Sequence, residues 1–178
     1  NAVEDHGTKP ADGPVLVTGA AGGVGSIAVM ALSKLGYDVA ASTGRPETES
    51  YLKGLGASSI VAREDLARDA KPLERETWAA VVDCVGDKTL ATAIAQTKHE
   101  GIVAPCGLAG GIGLPGTVMP LILRGVTVRG VESIMTSMAR RERAWSALAQ
   151  LIDQSKLAEV YRTEPLAAVP ELANTILS

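Results

Sequence analysis

Between an apolar β-branched run and a helix-periodic run lies Thr18-Gly19-Ala20-Ala21-Gly22-Gly23-Val24-Gly25-Ser26, with four glycines and no charge. Glycine there lets the backbone turn tightly and approach a pyrophosphate, while the free amides and dipole of a helix amino terminus favour phosphate charge. The pattern implies a dinucleotide site. No Gly-Lys-Ser/Thr closes the run, so a phosphate-binding P-loop is excluded. About 20 residues past such a loop, an NAD-binding fold offers Asp or Glu to the ribose hydroxyl. This chain has Ser42-Thr43-Gly44-Arg45 instead. A guanidinium gives a permanently charged, bidentate contact to a 2′-phosphate, so NADP(H) is preferred over NAD(H). Arg63, just past the third strand, could add a second cation on the adenosine side; taken alone, it reads as a surface arginine.

Two further loops belong to the same edge: Asp83-Cys84-Val85-Gly86 and Gly107-Leu108-Ala109-Gly110-Gly111. In a doubly wound sheet such loops line the ligand crevice, and Gly107 to Gly111 would let the backbone come close to a nicotinamide. Asp83 reads as a strand-terminal loop cap rather than a catalytic acid. The glycine spacing also fits the short-chain dehydrogenase signature, which needs a Tyr-x-x-x-Lys pair. That pair is absent: Tyr37, Tyr51 and Tyr161 are followed four residues later by Ala41, Leu55 and Pro165. There is no Gly-x-Ser-x-Gly elbow, and His6 and His99 read as isolated and solvent-facing. Cys84 and Cys106 have no metal-ligand spacing, so both read as reduced core residues and no metal site is expected.

The elements that hold these residues alternate. Strands are expected at Pro14 to Thr18, Asp38 to Ser42, Ser59 to Ala62, Ala79 to Val85, Ile102 to Cys106 and Val126 to Val131. Helices are expected at Ser26 to Leu35, Glu47 to Leu55, Lys88 to Thr97, Thr117 to Leu123 and Ala139 to Ile152, the last with Ala144, Trp145, Leu148, Leu151 and Ile152 on one stripe. Short apolar strands alternating with helices imply an α/β fold: a Rossmann-type, doubly wound, parallel six-stranded sheet with helices on both faces. The 178 residues suit one such domain. With 46% hydrophobic and 21% charged residues and a formal charge of −3, disorder and a nucleic-acid partner are disfavoured. No apolar run approaches a membrane span, and the polar amino terminus is no signal peptide, so the chain reads as cytoplasmic. Residues 1–12 read as a leader, with Asn1 and Ala2 a scar of tag cleavage. Residues 13–156 read as the NADP-binding domain. Residues 157–178 begin a helix near Val169 that stops short, as if cut from a longer chain.

Val15 to Gly25 resembles the coenzyme domain of the medium-chain dehydrogenase/reductase superfamily, in its zinc-independent quinone-oxidoreductase branch. Thr43 to Arg45, Tyr51 to Ala57, Val85 to Lys88, Cys106 to Gly111, Leu114-Pro115, Val118 to Pro120 and Ile122 to Arg124 are similar to the NADPH-dependent acrylyl-CoA reductase group. The resemblance implies pyrophosphate contacts at Ala21, Gly22, Gly23 and Val24. It implies 2′-phosphate contacts at Thr43, Gly44, Arg45 and Arg63, and further cofactor contacts at Leu108, Arg124 and Met135. From spacing alone, Arg124 is a cation at a helix carboxyl end and Met135 is core filler.

Members of that group reduce the carbon–carbon double bond of acrylyl-CoA. Full-length members add a GroES-like catalytic domain, mainly from residues before the coenzyme domain, so the catalytic groups are not named by these residues. The expected partners are NADPH and an enoyl-CoA or quinone substrate, with a homodimer through the edge strand Val126 to Val131, since exposed edges invite pairing. Two alternatives stay open: an NADPH quinone or enone oxidoreductase, and a nucleotide-binding Rossmann module with no catalysis.

Overall fold

The structure is a computed structural model that describes the backbone of residues 1–177 and the side chains of residues 1–174; Ser178, the last residue of the expected carboxyl-terminal segment, lies outside it. The strands are β1 (Val15–Val17), β2 (Val39–Thr43), β3 (Ser59–Ala62), β4 (Trp78–Asp83), β5 (Thr97–Pro105) and β6 (Thr127–Val128). The helices are α1 (Ala2–His6), α2 (Gly23–Lys34), α3 (Glu49–Leu55), α4 (Arg63–Leu66), α5 (Asp87–Gln96), α6 (Met119–Leu123), α7 (Met138–Leu151), α8 (Gln154–Leu157) and α9 (Val169–Leu177). All strand pairs are parallel, in the order β3-β2-β1-β4-β5-β6. The order reverses at β1/β4, and such a switch point opens a crevice at the strands' carboxyl ends.

Successive strand residues point to opposite faces, and the two cores follow that rule. Val15, Val17, Val39 and Ala41 pack with Val29 and Met30 of α2 and Leu52 and Leu55 of α3. Leu16, Ala40, Val81 and Val103 pack on the other face with Leu66 of α4 and Leu90, Ala93 and Ile94 of α5. All three β1 residues are fully buried, which explains why that strand reads as an unbroken apolar run.

Several elements depart from the sequence reading. The leader is ordered: α1 buries Val3, Tyr37 donates its hydroxyl to the Thr8 carbonyl at 2.7 Å, and Asp5 pairs with Arg143 at 2.5 Å and Arg129 at 3.5 Å. Ala2 opens that helix. His6 is half-buried, its Nε2 2.9 Å from the Glu100 carbonyl oxygen, while His99 is exposed. β5 starts five residues early because Thr97 pairs with Trp78 before the register jumps to Ala80↔Ile102, leaving the polar Lys98 to Gly101 as an irregularity. β6 is two residues long, yet Arg129 and Val131 still donate backbone hydrogen bonds to Val103 and Pro105, both at 2.9 Å. On α7 no residue is buried, and Trp145, expected on the apolar stripe, is 70% exposed. No described helix is long and apolar enough to cross a membrane.

Candidate dinucleotide-binding site

A crevice of about 550 Å³ opens at the carboxyl ends of β1, β2, β4 and β5, within the range of about 300–1,000 Å³ usual for small-molecule sites. Its floor is the turn from β1 into α2. Gly22 N–H donates to the Gly19 carbonyl at 3.0 Å, and Ser26 N–H makes the first helical bond, to Gly22, at 2.8 Å. The amides of Gly23, Val24 and Gly25 in that first turn therefore have no intrahelical acceptor and point their partial positive charge into the crevice. Gly25 is required by space: a Cβ there would overlap the Gly19 carbonyl oxygen and lie 2.7 Å from the Ala20 Cα.

Neighbouring side chains hold the turn. Tyr51 of α3 donates its hydroxyl to Ser26 Oγ at 2.8 Å, and Ser26 donates to the Ala20 carbonyl at 3.2 Å. Thr18 donates to Asp83 Oδ1 at 2.6 Å and accepts the Cys84 amide at 3.0 Å. Asp83 Oδ2 accepts the Gly86 amide at 2.8 Å, so this fully buried carboxylate ties the ends of β1 and β4 together. It is the loop cap expected from its position.

On the β2 side, Thr43 Oγ1 accepts the Arg45 amide at 3.1 Å, and Thr48 donates to the Arg45 carbonyl at 2.6 Å. The Arg45 side chain is thereby turned back across the crevice, Nη2 donating to the Ala21 carbonyl at 3.2 Å. The Arg63 guanidinium lies against Gly44, in space that a Cβ would fill. Arg63 has no hydrogen-bond or ion-pair acceptor among the described residues. Lys88 also lines the crevice but is paired with Asp69 at 2.7 Å. Among the described residues, Asp87 is the one carboxylate lining it.

The fold thus brings Ala21, Gly22, Gly23, Val24, Thr43, Gly44, Arg45 and Arg63 to one crevice. Leu108 stands beside it: Ala109 and Gly110 line the crevice, while the Leu108 side chain is 63% exposed. Met135, neither crevice-lining nor core, is 85% exposed in the loop between β6 and α7. Arg124 is not brought there. As the residue capping α6, it sends Nη1 to the carbonyls of Ala95 at 2.9 Å and Thr97 at 3.2 Å, and Nη2 to that of Glu74 at 2.5 Å. Those acceptors sit at the amino ends of β4 and β5, across the sheet from the crevice, so the helix-terminal reading of Arg124 replaces the cofactor contact.

Below Arg124 lies a second polar group. Glu74 accepts Arg68 at 2.7 and 2.5 Å and the Gln96 amide at 3.0 Å, and the Arg68 contact is the chief cause holding its ionisation down to about 2. The cysteines correct another expectation. They are not core residues: Cys84 is half-buried in the crevice wall and Cys106 is exposed, with their sulfurs 3.7 Å apart. Lys88 and Thr89 also line the crevice unannounced; only their place at the start of the helix after β4 could have signalled them. Among the described residues, no group of three or more His, Cys, Asp or Glu is placed to hold a metal ion.

The chain is similar to known dehydrogenases and reductases. The family model described as zinc-binding dehydrogenase matches residues 23–154. The chain is 52% identical to the acrylyl-CoA reductase AcuI of Ruegeria pomeroyi over 99% of its length, covering 54% of that protein. The yhdH oxidoreductase of Salmonella enterica, solved in complex with NADP, superposes with a TM-score of 0.94 at 52% identity, over 98% of this chain and 54% of that one. The Bacillus subtilis protein yhfP, solved with NAD bound, superposes with a TM-score of 0.91 at 43% identity, over 99% of this chain and 54% of that one. The chain therefore spans about half the length of the relatives it matches. It belongs to the zinc-binding dehydrogenase family, within the medium-chain dehydrogenase/reductase superfamily and beside the acrylyl-CoA reductases.

Proposed function

We propose that the crevice holds NADP(H), and that the protein containing this chain reduces an activated carbon–carbon double bond, that of acrylyl-CoA. The observation that carries the cofactor choice is Arg63, a guanidinium with no acceptor among the described residues, which lies against Gly44 at the end of β2 and lines the crevice together with Arg45. Two guanidinium groups favour a 2′-phosphate by charge-assisted bonds and leave a bare ribose diol without its usual acceptor. The substrate rests on the 52% identity to an acrylyl-CoA reductase.

The bound dinucleotide supplies a hydride when reduced. This chain's part is positioning. The free amides of Gly23 to Gly25 fix the pyrophosphate, Arg45 and Arg63 fix the adenosine end, and the loops around Gly86 and Gly110 leave room for the nicotinamide against backbone. Residues 13–156 form the cofactor unit, and the half of the relatives' length that this chain does not span supplies the rest of the substrate site.

The test is turnover by the full-length protein: NADPH oxidation with acrylyl-CoA against NADPH oxidation with a naphthoquinone. Higher kcat/KM on acrylyl-CoA, giving propionyl-CoA, supports the reading. Quinone turnover without acrylyl-CoA turnover replaces it with the quinone reductase, and NADPH binding with neither leaves the non-catalytic module.

β6 is the sheet's last strand, and Val128 and Val131 are exposed there, as are Ile122 and Leu123 of α6 and Ile134 and Met135 of the following loop. We place a homodimer on this edge, where a second copy pairs backbone and covers the apolar side chains.

A further inference from the structure

β4 and β5 end side by side, and the residue after each member of their last pair, Asp83↔Pro105, is a cysteine. Cys106 N–H donates to the Asp83 carbonyl at 2.8 Å, so the ladder runs on and the cysteines face each other across neighbouring strands. A strand spacing of about 4.7–4.9 Å lies inside the Cα separation of about 4.4–6.8 Å that a disulfide spans. The sulfurs are already 3.7 Å apart. The chain has two cysteines in all, so no other thiol in it competes.

The two sulfurs are not equivalent. Cys106 is exposed and can meet a small oxidant, while Cys84 is half-buried in the crevice wall. The hydrogen bond between them holds the Cys106 thiol below its ordinary range and, with burial, pushes that of Cys84 up. Cys106 is thus the sulfur that ionises and attacks, and Cys84 the one that resolves.

Cys84 also touches both loops of the crevice. Its amide is held by Thr18 Oγ1, and its Cβ lies where a Cβ on Gly19 would meet it at 3.3 Å. On the other side, Gly107 packs so closely on the Cys84 backbone that a Cβ there would sit 2.5 Å from its carbonyl oxygen, and Ala109 N–H donates to that oxygen at 3.3 Å. Bringing the sulfurs from 3.7 Å to a bond of about 2.05 Å turns the Cys84 side chain within the crevice wall that it forms between these two loops.

We infer that Cys84 and Cys106 form a reversible disulfide at the mouth of the crevice, and that this disulfide and a bound dinucleotide exclude each other. The second half rests on the dinucleotide reading above. The oxidant is a low-molecular-weight disulfide. The Cys106 thiolate attacks one of its sulfurs, breaking that S–S bond and releasing one thiol. The Cys84 sulfur then attacks Cys106 Sγ, breaking the mixed disulfide as the new S–S bond forms, and the second thiol leaves; each of the two released thiols carries one of the two protons the cysteines lost. Two protein thiols are oxidised and one small disulfide is reduced. Coupling is reciprocal, so whatever the closed disulfide costs dinucleotide binding, the dinucleotide costs disulfide formation.

The test treats the chain with oxidised glutathione, with and without saturating NADP⁺, and follows thiol loss and intact mass; NADP⁺ binding to the reduced chain is measured separately by calorimetry. The inference expects loss of both thiols with two hydrogens removed and no glutathione retained. It expects thiol loss to slow about tenfold with NADP⁺, within the range of typical coupling, and Cys84→Ser to trap glutathione on Cys106. A stable glutathione adduct on the unmodified sequence, or two thiols that persist, overturns the pair. Equal rates with and without bound NADP⁺ overturn the exclusion. A disulfide in a chain that shows no NADP⁺ binding overturns the cofactor reading and the exclusion with it, and leaves the thiol pair standing.

Discussion

Arg124 separates structure from resemblance most cleanly among single residues. Its guanidinium serves three backbone carbonyls and lies 3.6 Å from Glu76, with a side chain 14% exposed. Removing it strands acceptors that water reaches poorly, which costs about 1–3 kcal/mol. Arg124→Ala is expected to lower stability by that amount in urea unfolding and to leave the NADPH Kd unchanged; a lost affinity with unchanged stability contradicts the placement. Glu74 makes a prediction about pH. Its ionisation is held from 4.5 down to about 2, first by Arg68 and against burial. A depressed carboxylate contributes stability above its unfolded value and loses it as pH falls towards the folded one. Stability should therefore fall between about pH 4.5 and about pH 2, and Glu74→Gln should be less stable at pH 7 but flatter across that window in thermal unfolding. The glycine turn, Arg45 and Arg63 were legible because each sits at a fixed offset from a strand end. Arg124 and Glu74 were not, since Arg124 finds its partners at 74–76 and 95–97 and Glu74 draws on both Arg68 and Gln96. The cysteines were misread because cysteine is usually buried, whereas the end of a strand in a doubly wound sheet is where side chains meet the crevice.

At the scale of elements, the apolar runs and glycine stops of β1 to β4 and α2, α3 and α5 announced themselves to within a few residues. α1 did not, because five residues make no readable period; it is held by Val3 burial and by Asp5 pairing with α7 and the β6 edge. Trp145 failed for the opposite reason. Helical period finds a stripe but cannot say what covers it, and α7 turns that tryptophan outward. The β6 edge carries its own prediction. Val128 is 38% exposed on a strand with an unpaired side, and a lysine there blunts pairing between copies. Val128→Lys should convert a dimer to a monomer in light scattering while leaving the circular dichroism spectrum unchanged. A monomer before the substitution, at every concentration, contradicts the proposed edge.

The whole molecule is a parallel sheet whose strand order reverses at β1/β4, and that reversal gathers the glycine amides, two guanidinium groups and a cysteine pair at one rim. The gathering could be read in outline from alternating strands and helices; the distances that distinguish Arg45 from Arg124 needed the fold. The central claim is that this rim is a site for a dinucleotide carrying a 2′-phosphate. The measurement is a calorimetric titration of the chain with NADPH and with NADH, repeated on Arg45→Ala and Arg63→Ala. NADPH should bind tighter than NADH by about 1–3 kcal/mol, the scale of charge-assisted hydrogen bonds, and each substitution should remove part of that difference while leaving NADH binding as it was. Equal binding of the two nucleotides, or a preference that survives both substitutions, contradicts it.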